Sequence, residues 1–369
     1  MDKPLAGLKV VELARILAGP WAGQLLADLG ADVVKVERPG TGDDTRHWGP
    51  PFAPDGASAY FHSCNRGKTS VAIDLDTAQG QAAVRALAAE ADVLIENFKV
   101  GGLAGYGLDH SSLCALNPRL LYCSITGFGQ TGPYAGRAGY DFIIQGMGGA
   151  MSLTGEPDGA AQKSGIAYAD LFTGLYASVA ILAALRERDR SGRGAHIDMA
   201  LLDSQVAVLA NQALNWMISG NVPTRMGNGH SNLVPYQAFR VADGEVIVAV
   251  GNDSQFERLC GILGLAELAG DPRFRTNPAR VTNRKSLIPV LEEAMLKRGR
   301  EELYGALEAA GIPAGPINAV DAVFADPQVV HRGLRIEGER PGLASPIVID
   351  GKRQVADAPA PRLGEASTC

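Results

Sequence analysis

Short apolar runs alternate with segments of helical hydrophobic spacing along residues 1–130. The helical spacing predicts crossover helices at 21–29 and 78–91, the first of them stopping at Gly30. Strands separated by helical crossovers form a parallel sheet that is covered on both faces. We therefore predict an α/β fold with a Rossmann-like large domain. No Gly-x-Gly-x-x-Gly fingerprint follows the first strand, which disfavours NAD or FAD. The apolar runs predict strands at 8–13, 32–36, 70–75, 92–96 and 120–125.

The pattern changes after these strands. A glycine-rich loop is predicted over 126–165, and a long apolar helix follows it at 171–188. From His196 we predict a segment that runs helically to about Ser219. A hairpin is predicted over 237–250, and helical patterns dominate after it.

Breaks in this pattern predict two domains. Glycines and a proline between residues 219 and 234 are typical of a linker. The predicted parts are a large Rossmann-like domain over 1–200, a linker over 201–225, a smaller α+β domain over 226–315, and a return linker with the C-terminal part of the large domain over 316–369.

Composition and charge exclude several classes of protein. The chain has 34 Lys and Arg against 40 Asp and Glu, a net charge of −6, and no basic run, so nucleic acid is not an expected partner. No apolar stretch reaches the ~20 residues of a membrane span, and no apolar signal segment precedes the first strand. Five widely spaced cysteines without a C-x-x-C pair suggest reduced thiols. We expect a cytoplasmic protein without a membrane partner.

Asp170 is the most informative candidate for chemistry. It lies at the start of the long apolar helix, where a carboxylate meets the positive end of the helix dipole. Asp is a preferred N-cap residue, so a capping role is the simpler interpretation of this position alone. The alternative is a nucleophile that attacks a carbonyl group and forms an acyl-enzyme anhydride.

Several cations follow the predicted strands. Arg15 follows the first strand, at the edge where open α/β sheets bind ligands. It is either a surface charge or a group that holds a ligand carboxylate through two parallel hydrogen bonds, which would suit a dicarboxylic substrate. Arg38, Arg46 and Lys68 lie near other strand ends, where they are either solvated or close to a nucleotide phosphate.

The segment Gly227-Asn228-Gly229-His230 is typical of a flexible flap. The histidines of the chain show no His-x-x-x-His spacing, so we predict no catalytic metal. Gly-x-Ser-x-Gly and Walker A patterns are also absent from the sequence.

Taken together, these segments resemble the class III CoA-transferases, the formyl-CoA transferase and carnitine CoA-transferase family, over essentially the whole chain. Within that family the chain is most similar to the succinyl-CoA:glutarate (hydroxymethylglutarate) CoA-transferases, through residues 41–46 and 234–239. The resemblance rests on residues 17–20, 26–39, 65–68, 96–98, 124–129, 139–141 and 169–174.

The resemblance implies a fold and a mechanism. Two protomers would interlock like linked rings, giving a homodimer in which each protomer has a Rossmann-like large domain and a small domain. Asp170 becomes the expected nucleophile, which forms an aspartyl-acyl anhydride and then an aspartyl-CoA thioester. A CoA thioester and a carboxylic acid are the substrates, and no permanently bound cofactor is expected.

The resemblance also implies positions for the substrates. Tyr140 would lie near the acyl group, and backbone N–H groups near Ala18 or in the segment Gly227, Asn228, Gly229 and His230 would stabilise the oxyanion. Closure of that segment would exclude water. The expected contacts to CoA are Arg38, Ile73, Asp74, Leu75, Asp76, Asn97 and Phe98.

Two departures from the family pattern bear on the substrate. Arg15 and Leu17 stand where formyl-CoA transferases carry His and Gln, which argues against a formyl or oxalyl group. They favour a longer acid whose distal carboxylate meets Arg15, with succinyl-CoA as donor and a diacid such as glutarate as acceptor. Gly105 stands where that branch has an Arg near CoA, so this contact is expected to be lost or supplied by another residue.

Two alternatives stay open at this point. An α-methylacyl-CoA racemase would share the fold but uses a His-Asp pair, and here the His position is Tyr140, whose phenol is a poor base at neutral pH. A non-catalytic CoA-binding protein would leave Asp170 as a helix cap only. We expect the transferase.

Overall fold

The computed structural model describes residues 3–366, which form two compact units. The first unit contains the chain up to Ala150, Lys163–Ala210 and the chain from Pro327 on. The second contains Met151–Gln162 and Asn211–Asp326. The expected boundaries had placed residues 151–162 in the large domain, whereas here they cluster with the second unit.

A six-stranded parallel sheet forms the centre of the first unit. Its spatial order is β3-β2-β1-β4-β5-β6, so the chain builds outward from β1 in one direction and then from β4 in the other. The carboxyl ends of β1 and β4 therefore flank the switch point of the sheet, where such sheets bind ligands. The strands are β1 (Lys9–Glu12), β2 (Asp32–Glu37), β3 (Lys68–Ala72), β4 (Val93–Glu96), β5 (Leu121–Thr126) and β6 (Ala195–Ala200).

Helices cover both faces of this sheet. Successive strand residues point to opposite faces, so Val10 joins the core under one helical layer and Val11 joins the core under the other. The helices of this unit are α1 (Ala18–Asp28), α2 (Ala59–Ser63), α3 (Ala78–Glu90), α4 (His110–Leu116), α5 (Asp141–Met147), α7 (Tyr168–Ser191) and α8 (Leu201–Ala207), with 3-10 turns at Asp44–His47 and Ala104–Tyr106. Two further helices, α6 (Ala150–Leu153) and α9 (Ala210–Ser219), begin at its last residues and lie mainly in the second unit.

The sixth strand corrects the sequence analysis. The predicted helical segment starting at His196 is wrong at its beginning, because Ala195–Ala200 pairs in parallel with β5. As an edge strand it carries exposed polar residues, so its sequence lacks the continuous apolar run of the central strands. The helical pattern that follows corresponds to α8 and α9.

The second unit combines a small antiparallel sheet with helices. Strands β7 (Tyr236–Val241) and β8 (Gly244–Ala249) form the predicted hairpin, and β9 (Ala314–Gly315) pairs with β8. Phe239, Val248 and Phe256 belong to its buried core. The helices are α10 (Asp253–Leu263), α11 (Ala266–Gly270), α12 (Asn277–Thr282), α13 (Arg284–Met295), α14 (Arg300–Ala309) and α15 (Val320–Ala325).

The remaining chain returns to the first unit. It contains the short helix α16 (Pro327–His331) and two small hairpins. The hairpin strands are β10 (Arg335–Ile336), β11 (Gly342–Leu343), β12 (Val348–Ile349) and β13 (Lys352–Arg353).

Among residues 3–366, α7 is the one helix long and apolar enough to span a membrane by length and composition. Its Ala169, Ala177 and Ile181 are buried in the core of the sheet. The four cysteines in this part of the chain, Cys64, Cys114, Cys123 and Cys260, are free thiols, and Cys369 lies outside the described residues.

Candidate functional site

Two cavities lie at the carboxyl edge of the sheet. The Asp170 cavity has a volume of about 410 Å³ and is lined by residues that include Leu17, Ala18, Asn97, Tyr140 and Asp170. The Arg38 cavity has a volume of about 420 Å³. Arg15 and Phe98 line both cavities, which are therefore neighbours. The Arg38 cavity is also lined by Arg38, Ile73, Asp74, Leu75, Asp76 and Tyr106.

The structure thus brings together most of the residues that the sequence analysis assigned to CoA and to the acyl group. Asn97 differs from the others, because its side-chain amide is already bonded to the protein backbone. Its Oδ1 accepts a hydrogen bond from Arg15 N at 2.9 Å, and its Nδ2 donates to Arg15 O at 2.6 Å. This geometry makes Asn97 a residue that positions the loop between β1 and α1.

The next residue of that loop, Ile16, is held in an unfavourable conformation. Its φ is +74°, a left-handed value that β-branched residues rarely adopt. The carboxylate of Asp43 accepts a hydrogen bond from Ile16 N, at 3.3 Å to each oxygen. Such strain persists only where surrounding contacts enforce it, and it often occurs at functional sites.

A buried chain of charges fixes Asp43 in turn. The Lys35 ammonium lies 3.0 Å from Asp43 Oδ2 and 3.0 Å from Glu12 Oε1, and Lys68 binds the same glutamate at 2.8 Å. Burial opposes ionisation of Asp43, but Lys35 and hydrogen bonds from Thr45 hold its pKa below the usual range. Asp43 is therefore an anion that holds the loop in place. The sequence analysis missed this role.

Arg15 is anchored on one side and open on another. Its Nη1 lies 3.1 Å from Asp44 Oδ2, and the other oxygen of Asp44 pairs with Arg38. The guanidinium also lies 5.6 Å from the centre of the Phe98 ring. Among the described residues, no group accepts a hydrogen bond from the buried Nε of Arg15. The Arg15 side chain is 36% exposed and lines both cavities, so the exposed part of its guanidinium is available to an anionic ligand.

Asp170 lies in the first turn of α7, on the wall of the Asp170 cavity. The N-cap residue of this helix is Ala167, so the interpretation of Asp170 as the cap is wrong. Gly174, one turn later, explains why α7 can approach α1 closely: a Cβ atom at this position would lie 2.5 Å from Ala18 O. This close approach brings Asp170 beside the N-terminus of α1, where the N-cap residue Leu17 supplies no side-chain hydrogen bond.

The carboxylate of Asp170 is half-buried and electrostatically unusual. Burial, followed by the negative charge of Asp141, raises its pKa to about 7. The positive end of the helix dipole favours the ionised form, as the sequence analysis expected, but it does not outweigh these two effects. Near neutral pH, Asp170 is therefore a poorly solvated carboxylate in equilibrium with its acid.

Asp141 is the second site residue that the sequence analysis missed. It begins α5, and its Oδ1 accepts a hydrogen bond from Ala169 N at 2.9 Å. The preceding Gly139 packs against Gly127, where a Cβ on Gly139 would lie 2.7 Å from Gly127 Cα. This backbone contact fixes Tyr140 at the end of β5. The motif Gly139-Tyr140-Asp141 was the available sequence signal.

Gly105 has open space where a side chain would stand, since no atom lies within 4 Å of its ideal Cβ position. The space that an Arg side chain would occupy here, as in the formyl-CoA transferase branch, is therefore open at Gly105. The neighbouring Tyr106 lines the Arg38 cavity and donates a hydrogen bond from its hydroxyl to Asp76 Oδ1 at 2.8 Å.

The predicted flap belongs to the second unit. Gly227 has a left-handed φ of +56°, and its N–H donates to Gly155 O at 3.0 Å. His230 Nδ1 accepts hydrogen bonds from the N–H groups of Asn232 and Leu233, at 3.0 and 3.2 Å. The His230 ring is thereby oriented by its own turn. No cluster of three or more metal-ligating side chains occurs within residues 3–366.

The chain matches a known family over nearly its whole length. The family model for CoA-transferase family III covers residues 5–367. A succinate–glutarate CoA-transferase from Agrobacterium fabrum is 56% identical to the chain, over 98% of this chain and 93% of the relative. A succinyl-CoA:glutarate CoA-transferase from Homo sapiens is 44% identical, over 99% of this chain and 85% of the relative.

A solved structure agrees with the fold. The crystal structure of a CAIB/BAIF family protein from Brucella suis is 58% identical and superposes with a TM-score of 0.88. The match covers 99% of this chain and 97% of that chain. Sequence and structural similarity therefore extend over both compact units.

Proposed function

The chain belongs to CoA-transferase family III, and from that premise we propose that it moves CoA from succinyl-CoA to a second dicarboxylic acid such as glutarate. The observation that carries this proposal is the half-buried Asp170 carboxylate on the wall of a cavity shared with Arg15. The names of the two relatives described above support the pairing of succinate with glutarate. Hydroxymethylglutarate, itaconate and malate have the same two-carboxylate chemistry.

Asp170 is the nucleophile in this proposal. Its carboxylate attacks the thioester carbonyl of succinyl-CoA, the C–S bond breaks, and CoA leaves as a thiolate. The thiolate then attacks the aspartyl carbonyl of the anhydride, which releases succinate and leaves an aspartyl-CoA thioester. The carboxylate of glutarate attacks this thioester and expels the CoA thiolate, giving a second anhydride. The thiolate finally attacks the glutaryl carbonyl, which frees Asp170.

The protonation state of Asp170 suits this role. A pKa of about 7 makes its carboxylate more basic than an ordinary Asp, and hence a stronger nucleophile, while leaving a large ionised fraction at neutral pH. Each tetrahedral intermediate places negative charge on a former carbonyl oxygen. Uncapped N–H groups at the start of α1, next to Leu17 and Ala18, are suitable donors for that charge. The assignment of Gly227, Asn228, Gly229 and His230 to the oxyanion stays a prediction of the family resemblance.

Arg15 is the group that selects a dicarboxylate. Its side chain lines the Asp170 cavity and is partly exposed, while Asp44 and Phe98 hold the guanidinium in place. The distal carboxylate of the acyl group would pair with the exposed part of this guanidinium. Arg38, Ile73, Asp74, Leu75, Asp76 and Phe98 would contact CoA from the neighbouring cavity, with Asn97 acting through the backbone of Arg15.

A homodimer completes the proposal. Helix α7 exposes several apolar side chains, and a cluster of exposed apolar side chains is typical of an interface. A second copy of the chain, interlocked with the first as the family resemblance implies, would cover it. The exposed residues are Phe172, Leu175, Tyr176, Val179 and Leu182. The mass of the protein in solution, measured by light scattering, tests this point, and a monomer would contradict it.

Neither alternative from the sequence analysis is favoured. The relatives that match over most of the chain are named as CoA-transferases, and Asp170 does not cap its helix. A racemase of the kind considered above would need a histidine at position 140 as the partner of Asp170, and this chain has Tyr140 there.

Substitution of the nucleophile tests the proposed function. We expect Asp170→Ala to lower the rate of CoA exchange between succinyl-CoA and glutarate by roughly four orders of magnitude or more, because the covalent route is lost. CoA binding, measured by calorimetry, should change little. Asp189→Ala, an exposed carboxylate near the end of the same helix, is the matched control and should exchange at the wild-type rate. Substantial exchange by the Asp170→Ala protein would contradict the assignment.

A further inference from the structure

We propose that Asp141 is a positioning residue for Asp170: its carboxylate fixes the first turn of α7 through hydrogen bonds and places a second negative charge near the nucleophile, which shifts the pH range of activity. This inference rests on the proposed function, because it treats Asp170 as the nucleophile. It concerns a residue 29 positions away in sequence, on the neighbouring helix α5.

The first step is geometric. Asp141 Oδ1 accepts a hydrogen bond from Ala169 N at 2.9 Å, and so binds one of the free N–H groups at the start of α7. Asp141 Oδ2 accepts a second hydrogen bond from Gln145 Nε2 at 2.7 Å. Both oxygens are therefore engaged, and the carboxylate cannot rotate without breaking one of these bonds.

Gln145 donates a hydrogen bond to Asp141 and also binds the backbone of the segment that precedes α7. This side chain is fully buried. Its Oε1 accepts a hydrogen bond from Ser164 N at 2.9 Å, and its Nε2 also lies 3.5 Å from Ile166 O. Asp141 and Gln145 thus hold the segment 164–169 at three backbone positions. Asp170 follows this segment directly, so its orientation depends on them.

The second step is electrostatic. The charged and titratable groups around Asp170 come from several elements: Tyr60 of α2, Arg15 of the β1–α1 loop, Asp141 of α5, and Lys99, Arg137 and Tyr140 on the cavity wall. Burial and the nearby charge of Asp170 raise the pKa of Tyr60, which keeps its phenol neutral. Arg15 is paired with Asp44. Asp141 is the anion that acts on Asp170 among these groups, and it raises the pKa of Asp170 in addition to burial.

This arrangement has a chemical consequence. Two carboxylates in a partly buried site repel each other, which destabilises the resting enzyme. When Asp170 becomes an anhydride or a thioester it loses its charge, and the repulsion from Asp141 disappears. Asp141 therefore favours the covalent intermediates relative to the free carboxylate, while its hydrogen bond to Ala169 keeps the nucleophile in place.

Two variants separate the charge from the hydrogen bonds. Asp141→Asn removes the negative charge and keeps an oxygen that can accept from Ala169 N, but its amide nitrogen cannot accept from Gln145 Nε2, so that hydrogen bond is lost as well. Gln145→Leu removes the same bond to Asp141 together with the attachment of residues 164 and 166 but keeps the charge, so it controls for the loss of hydrogen bonds. We expect Asp141→Asn to move the acid limb of kcat/KM, which reports the free enzyme, from near pH 7 to a lower pH by about one unit. Gln145→Leu should lower kcat without moving that limb.

A readout that does not need activity accompanies the kinetics. In protein labelled with ¹³C at Asp carboxyl groups, the Asp170 signal, assigned by its loss in Asp170→Asn, should titrate near pH 7 in the wild type. It should titrate at a lower pH in Asp141→Asn. Thermal melting shows whether each variant is folded, and the wild-type titration remains informative if a variant is not.

The outcomes are distinct. An unchanged Asp170 titration in folded Asp141→Asn, or a wild-type titration near the ordinary Asp value of about 3.9, overturns the role of Asp141. Absence of exchange by the wild type, with Asp170 still titrating near pH 7, overturns the proposed function and leaves the electrostatic coupling intact.

Discussion

Asp44 divides its two carboxylate oxygens between Arg15 and Arg38, which line the two neighbouring cavities. Each arginine therefore shares one carboxylate with the other, and the three side chains together carry a net charge of +1. The carboxylate of the acyl group would contact Arg15, and the phosphate-bearing CoA would contact Arg38. The two arginines should therefore govern different parts of substrate recognition.

This division predicts the behaviour of Arg15→Ala. Loss of a charged hydrogen-bonding partner costs about 1.5–3 kcal/mol, so KM for glutarate should rise by roughly 10-fold to 150-fold. KM for valerate, a monocarboxylate of equal length, should change far less. Steady-state kinetics with both acids measures the contrast.

Arg38→Ala is the matched control for that experiment, since Arg38 also pairs with Asp44. It should raise KM for the CoA thioester and leave the ratio between glutarate and valerate unchanged. An equal effect of Arg15→Ala on both acids would remove Arg15 from the distal-carboxylate role.

The raised pKa of Asp170 also links catalysis to stability. A carboxyl group with a higher pKa in the folded state binds its proton more tightly there than in the unfolded chain. The folded state therefore loses stability as pH rises from about 4 to about 7, as Asp170 ionises within a partly buried site. The nucleophile is maintained at a cost in folding free energy, as is common at active sites.

At the scale of secondary-structure elements, the contact between α1 and α7 determines where the nucleophile lies. Gly174 allows the helices to touch, with Ala18 O and the Trp21 side chain next to the missing Cβ. Gly is otherwise a poor residue for a helix interior, by about 1 kcal/mol relative to Ala. Its presence in α7 is explained by packing.

Gly174→Ala should therefore destabilise the protein, although Ala has a higher helix propensity than Gly. Overpacking at the contact with Ala18 should cost about 1–3 kcal/mol and displace the first turn of α7, lowering kcat more than CoA affinity. Gly261→Ala lies inside α10, where nothing stands within 4 Å of the added Cβ, and should be neutral or stabilising. Chemical denaturation and exchange kinetics measure both variants. Equal stability changes in the two would refute the packing explanation.

Local sequence signals predicted the elements but only part of their arrangement. The central strands β1, β2, β4 and β5 each contain two or three consecutive apolar residues, so their existence follows from sequence. The edge strand β6 has alternating polar residues and resembles the helix that follows it. A segment can therefore be recognised as a strand from its sequence in the centre of the sheet, whereas at the edge a strand and a helix are hard to tell apart.

The residues of the candidate site were likewise predictable from sequence only in part. Asp170 and Arg15 lie in recognisable segments at element ends, so sequence could single them out. Asp141 acts on Ala169 across 28 residues, and Asp43 acts on Ile16 across 27. Such pairings depend on how helices and loops pack, which no local pattern specifies. The contacts that these positioning residues make therefore emerged only from the structure.

At the scale of the whole molecule, the sheet order explains why all these groups converge. The reversal between β1 and β4 opens the carboxyl edge, so the loop after β1, the Asn97-Phe98 segment after β4 and the first turn of α7 line one cavity. The adjoining Arg38 cavity draws on the ends of β2 and β3. A single edge of the sheet thus offers sites for both halves of an acyl-CoA.

The covalent intermediate at Asp170 is the central claim, and it can be measured directly. Intact protein is mixed with succinyl-CoA, alone and with a panel of diacids, then treated with hydroxylamine and analysed by mass spectrometry with peptide mapping. We predict a hydroxamate at Asp170 and, with glutarate, the appearance of glutaryl-CoA. A protein that binds CoA but forms neither the adduct nor a new acyl-CoA would contradict the proposed mechanism.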